Sequence, residues 1–243
     1  MKKILYLSIL SLCAILIIGS LTACSDKDDA YDLYTKMLAV MADVESIDME
    51  ITALSETSID NDKSSGSATG NIKKAVNSET GGNDYAIKFD FGLGDGAIST
   101  TTSYFTNGVY YTETAGLKQS YNMSDKDAPF LPHADLLEFP GSAVKEFTVS
   151  KHNGGKKVEM TLDGNSVTSI TEKNQSAEDY ILSDVVCEFI IDKNNMLLFH
   201  RIISEERIEH MIINKDVSIT VNSYNDVKIE LPSDLDEYMY MDH

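Results

Sequence analysis

The strongest constraint on this fold is an alternation of apolar and polar residues, broken repeatedly by turn-forming groups. Tyr85, Ile87, Phe89, Phe91 and Leu93 fall on one face, opposite Lys88 and Asp90. Successive side chains of a strand point to opposite sides, so a period of two predicts a strand with one buried face. The same period recurs at Ile47, Met49 and Ile51, at Phe147 and Val149, and at Val158, Met160 and Leu162. It returns at Val185, Cys187, Phe189 and Ile191. Between these segments stand Gly81-Gly82-Asn83-Asp84, Gly94-Asp95-Gly96, Asn107-Gly108, Gly116, Asn153-Gly154-Gly155 and Asp192-Lys193-Asn194-Asn195. Asn-Gly is a strong signal for a two-residue hairpin, because both residues tolerate positive φ. The chain therefore reads as a meander of antiparallel strands.

One segment has a different period. Tyr34, Met37, Leu38, Met41 and Val44 recur at three- and four-residue spacing after Asp28 and Asp29. Acids favour a helix start, and the spacing gives one apolar stripe. The period changes at Ser46. Other segments are less regular. Asn61 to Gly70 reads as a polar loop. Pro129, Pro132 and Pro140 bracket a short helix over 134–139 inside a long loop. Residues 163 to 183 could be a helix, a mobile loop or both. A strand through Leu197, Phe199, Arg201 and Ile203 turns at Asn214-Lys215-Asp216 into Val217, Ile219 and Val221. Val227, Ile229 and Leu231 form the expected last strand, ended by Pro232, with a frayed tail from Asp234 to His243. The fold class is α+β: a curved antiparallel sheet wrapping an N-terminal helix and one or two short helices.

The N-terminus specifies a location. Lys2 and Lys3 precede an apolar run from Ile4 to Ile18, which is shorter than the roughly 20 residues a bilayer span needs. This is the layout of a secretory signal. It ends in Leu21-Thr22-Ala23-Cys24, which resembles the lipobox of bacterial lipoproteins. That resemblance implies that residues 1–23 are removed and that the Cys24 sulfur carries a diacylglycerol. Two acyl chains anchor stably where one does not. Residues 24–29 would form the acylated cysteine and a short tether, 30–232 a single domain, and 233–243 a flexible tail. The expected location is the extracytoplasmic face of the cell membrane.

Composition excludes some partners. The chain has 243 residues and a formal charge of −19, and loss of Lys2 and Lys3 with the signal would make it −21. Phosphate binding needs a basic footprint, so nucleic acid is not an expected partner. Charge would not draw the protein to anionic lipid either, so attachment falls to the acyl chains. Of three cysteines, Cys13 leaves with the signal and Cys24 is acylated. Cys187 remains, on an apolar strand face, and reads as a core residue.

Motifs for chemistry are weak. Gly92-x-Gly94-x-Gly96 leads into a strand rather than a helix, so it suits a hairpin better than a phosphate loop. Asp60-x-Asp62-x-Ser64 lacks the glycine and glutamate positions of a calcium loop. Ser142-Ala143-Val144-Lys145 matches Ser-x-x-Lys, with Ser223-Tyr224-Asn225 as a second motif, but no Lys-Thr-Gly follows. His133, His152, His200, His210 and His243 have no ligand spacing, and His200 and His210 are expected to point outward from a strand. No catalytic residue, metal or cofactor is expected.

The order of elements resembles the LolA/LppX-like lipoproteins and lipoprotein carriers, including the LprG type. The resemblance is carried by Cys24, the helix Tyr31 to Val44, the strand Ile47 to Ile51, the hairpin Thr106-Asn107-Gly108-Val109-Tyr110-Tyr111, and Tyr224 to Pro232. It implies an unclosed half-barrel whose concave face wraps helices and can hold acyl chains. A lipid or other amphiphile would then contact Met37, Leu38, Met41, Ile87, Phe89, Phe91, Leu93, Met160, Leu162, Phe189 and Ile191. The alternative is an envelope sensor or protein-interaction module whose core is filled. An enzyme is the weakest option.

Overall fold

A computed structural model describes residues 27–60, 62–94, 96, 98–124, 139–171 and 180–241. The expected signal segment, Cys24 and the helix expected over 134–139, apart from Phe139, lie outside the described residues.

Helix α1 covers Lys27–Ala42 and starts earlier than expected, taking in half of the proposed tether. Strands follow in chain order: β1 Ser46–Ile59, β2 Asp62–Val76, β3 Asn83–Leu93, β4 Ser99–Thr106, β5 Val109–Thr114, β6 Leu117–Asn122, β7 Val144–His152 and β8 Gly155–Leu162. After the short helix α2, Gly164–Thr171, come β9 Tyr180–Leu182, β10 Val185–Ile191, β11 Leu197–Ile208, β12 Met211–Tyr224 and β13 Met239–Tyr240. Two 3-10 turns, η1 Gly141–Ala143 and η2 Leu235–Glu237, complete the described elements.

All the strands belong to one open curved sheet, ordered β13-β6-β5-β4-β3-β2-β1-β12-β11-β10-β8-β7, with β9 paired to β11. Every pairing is antiparallel except β13 with β6. Among the described residues no helix is long and apolar enough to cross a membrane.

The expected Asn-Gly hairpins form where the turn chemistry placed them. Asn107 and Gly108 take φ of 51° and 76°, and Asn153 and Gly154 take 42° and 84°. These positive pairs match the right-handed strand twist. The helix stripe is buried too. Ala30, Leu33, Tyr34, Met37 and Met41 face the sheet. Tyr34 stacks on Phe139 at 4.8 Å and tilts against Phe189 at 5.4 Å. At the other end of α1, the Tyr224 hydroxyl donates to the Leu197 carbonyl and lies 3.3 Å from Met41 Sδ. Cys187 is fully buried, as its strand position predicts.

Four expectations are corrected. Asn61 to Gly70 is not a loop: from Asp62 onward it is the first half of β2, paired with β1 from Ile59↔Asp62 inward. Its serines and glycines are poor strand formers alone; pairing with β1, joined from Gly66 onward by β3, holds them. The turn at Asn214-Lys215-Asp216 is absent, because β12 runs straight through it. The reversal falls at Glu209-His210, with Glu209 at φ 54°. Val227, Ile229 and Leu231 are outside the ladder. Asn225, at φ 57°, turns the chain off the sheet, and its amide donates to the Ser46 carbonyl at 2.8 Å. The segment after Asp234 is not frayed. Lys118 Nζ holds Asp234 at 2.5 Å and Glu237 at 2.8 Å, Tyr238 is buried edge-on against Tyr111, and Met239–Tyr240 pair with Gln119–Ser120.

Candidate functional site

A cavity of about 260 Å³ lies on the helix-bearing face of the sheet, beside the core under α1. Its walls are Ile51 and Ala53 of β1, Ala68 of β2, Phe89 and Phe91 of β3, His200 and Ile202 of β11, and Val217 and Ile219 of β12. The hollow follows from the sequence of the central strands. Ala53 pairs directly with Ala68, and their outer neighbours are Val217 and Phe91. Two methyl side chains stand side by side where the flanking strands carry larger groups. One rung further, Gly70 pairs with Phe89, and a Cβ there would meet the Phe89 ring at 2.4 Å. Gly70 therefore lets that ring lie over the backbone of β2. Phe89 and Phe91, with ring centroids 5.7 Å apart, form an aromatic wall.

His200 is the one ionisable wall residue, with 1% of its surface exposed. Its Nε2 lies 3.2 Å from Cys187 Sγ. Burial pushes the imidazole down to about 4 and, with a smaller contribution from Glu188, the thiol up to about 12. Both groups are neutral near pH 7, so this is a hydrogen-bonded thiol and imidazole rather than a nucleophilic thiolate. His200 was expected to point outward. A bulge reverses its side: Ile190 pairs with Phe199 but Ile191 pairs with Leu197, leaving Leu198 as the extra residue. One added residue flips every later side chain to the other face.

The sequence-predicted lining divides. Phe89 and Phe91 line the cavity. Leu93 lies beyond it and is 78% exposed. Met37, Met41, Ile87, Met160, Leu162, Phe189 and Ile191 are buried in the core, and Leu38 packs half-buried against it. Periodicity identified the buried face but could not say where volume was missing. Ala53 and Ala68 carry that information, since they are small residues at inward positions of neighbouring strands.

Other candidates resolve differently. Ser142 sits exposed in η1, and Lys145 Nζ is held by Asp184 at 2.7 Å and Asp163 at 3.1 Å. Those carboxylates raise the lysine's pKa, so it stays protonated and cannot serve Ser142 as a base. Asp163 also caps α2 through the Ser166 amide at 3.1 Å. Asp60 lies in the β1–β2 turn at φ 53°, and Asp62 opens β2 opposite Ile59. Gly92 and Gly94 lie at the end of β3. His210 is exposed, but in the β11–β12 turn rather than on the strand expected. Among the described residues no group of three or more His, Cys, Asp or Glu could hold a metal ion. Two other hollows carry several polar side chains in their walls. One, of about 420 Å³, includes Leu54 and Ile203 beside Glu56, Ser65, Ser67, Lys215 and Asp216. The second, of about 410 Å³, includes Asn71, Lys73, Lys88, Lys228 and Glu230. The hollow beside His200 has the fewest polar residues in its wall, His200 alone.

No protein-family model matches the chain, and no curated protein does. Among solved structures the chain is similar to LprF from Mycobacterium bovis, with 14% identity, a TM-score of 0.44, and coverage of 84% of this chain and 96% of that one. It is also similar to a DUF1329 family protein from Desulfovibrio piger, with 12% identity, a TM-score of 0.30, and coverage of 84% and 96%. A third is a domain described as outer membrane lipoprotein-sorting, from Vibrio parahaemolyticus, with 14% identity, a TM-score of 0.26, and coverage of 83% and 95%. At these values the similarities concern the course of the chain and carry nothing about what it binds.

Proposed function

We propose that this protein is a lipoprotein anchored through Cys24 on the extracytoplasmic face of a membrane, and that it binds a lipid or similar amphiphile in the cavity beside His200. The cavity carries this reading: eight of its nine wall residues have apolar side chains, and the ninth is a neutral imidazole. Its 260 Å³ falls just under the roughly 300–1,000 Å³ of small-molecule sites, which suits part of one acyl chain. Burial yields about 0.8 kcal/mol per methylene before ordering costs are subtracted. The resemblance to LolA/LppX-like lipoproteins supports the same assignment, and so does the lipobox at Cys24.

Ala68→Phe tests the reading, because it fills the hollow from within. Native mass spectrometry with solvent extraction should find lipid on the wild-type protein and none on the variant. Lipid retained by a folded Ala68→Phe variant would move binding elsewhere. A wild-type protein that stays lipid-free after incubation with membrane lipids would favour the sensor reading, which the filled core beneath α1 supports.

A further inference from the structure

The N-terminus of α1 and the Leu93 end of the sheet lie at the same end of the molecule. Strand register shows this. Val144, Leu162 and Val185 form one rung at the end of β7, β8 and β10. Val186 pairs with Ile203, and from the next residue of β11 the rung continues Ser204, Lys215, Ser55, Gly66 and Leu93. Helix α1 spans this height in order. Its C-terminal Met41 meets Tyr224 where β1 begins. Tyr34 meets Phe189 midway. Tyr31 lies against Gly141, just before Val144. The helix N-terminus therefore points toward the Leu93 end. Only Ser25 and Asp26 separate Cys24 from Lys27, a span of no more than about 11 Å fully extended.

That end also exposes aliphatic side chains. Leu93 is 78% and Ile98 72% exposed, and Ile59 stands at the neighbouring β1–β2 turn. The cavity lies one or two rungs inward, with half-exposed Phe91 as its lip. We infer that the protein docks this end on the lipid bilayer, with Leu93, Ile98 and Ile59 in the interface and the cavity mouth at the membrane. The inference rests on the reading of Cys24 as acylated. Aliphatic side chains at turn tips gain by leaving water for the interface, and a short acyl tether keeps them there. Asp60, Asp62 and Glu209 on the adjoining turns favour a zwitterionic surface over an anionic one.

The chain contains no tryptophan, so a single introduced indole is an unambiguous probe. Full-length acylated protein carrying Leu93→Trp, Ile98→Trp or Lys193→Trp is reconstituted into phosphatidylcholine vesicles containing doxyl-labelled lipid. Lys193 is exposed in the β10–β11 turn at the opposite end. Emission from the Leu93 and Ile98 probes should shift to the blue and be largely quenched, while the Lys193 probe keeps its emission. Quenching at Lys193, or at none of the three, overturns the orientation even though the protein floats with the vesicles. Protein that does not float refutes the anchor and the inference together, whereas lipid in the cavity is read separately by extraction. A blue shift that follows protein concentration without vesicles assigns the face to a second copy and overturns the bilayer as its partner.

Discussion

His200 shows how a single inserted residue changes what a chain offers to a ligand. The bulge at Leu198 turns an imidazole into the cavity wall, and Cys187 supplies its neighbour at 3.2 Å. The consequence for stability has a definite sign. Below pH 6.5 the unfolded chain takes up a proton that the folded chain refuses until about pH 4. Folding stability from this group is therefore undiminished above 6.5 and falls by about 1.4 kcal/mol per pH unit as the pH drops through that window. His200→Gln should remove this component. Urea titrations of both proteins at several pH values test it: their stability difference should change between pH 6.5 and 4 and be constant above, and parallel curves would contradict the buried neutral imidazole. The inward alternation of Phe89 and Phe91 was legible in the sequence. The side taken by His200 was not, because a bulge depends on how β10 and β11 pair.

Among the elements, the C-terminal segment departs furthest from its polar sequence. Asn225 turns the chain off the sheet beside Ser46, and Tyr238 and Met239–Tyr240 rejoin it at β5 and β6. A run rich in Asp, Glu and Ser looks solvated residue by residue. Its order comes from partners far away in sequence: Lys118 for Asp234 and Glu237, and Tyr111 for Tyr238. The short β13 also covers part of the β6 edge, limiting the exposed ladder there. Tyr238→Ala should cost about 3 kcal/mol, a lowering of Tm by about 6–12 °C for a domain of this size. Calorimetry would show it, and an unchanged Tm would mean the segment contributes nothing to the fold. The same dependence on partners explains β2. Its Ser- and Gly-rich half is a strand because β1, joined from Gly66 onward by β3, flanks it, and because only glycine at position 70 clears the Phe89 ring.

For the whole molecule, the proposed anchor at Cys24 is tested on its own. Cys24→Ser should shift the protein from the membrane to the soluble fraction without changing its fold, as read by fractionation and circular dichroism. Membrane association that persists would mean that something other than acyl chains holds it. The sequence alone determined the strand-rich α+β class, the apolar stripe of α1 and the positions of the Asn-Gly turns. Side-chain period and turn chemistry are local properties of the chain. The tertiary structure decided where the apolar face is full and where it is hollow, which side His200 takes, and which end of the sheet the start of α1 points toward. Each of these depends on strand register, and register is fixed only when distant strands meet.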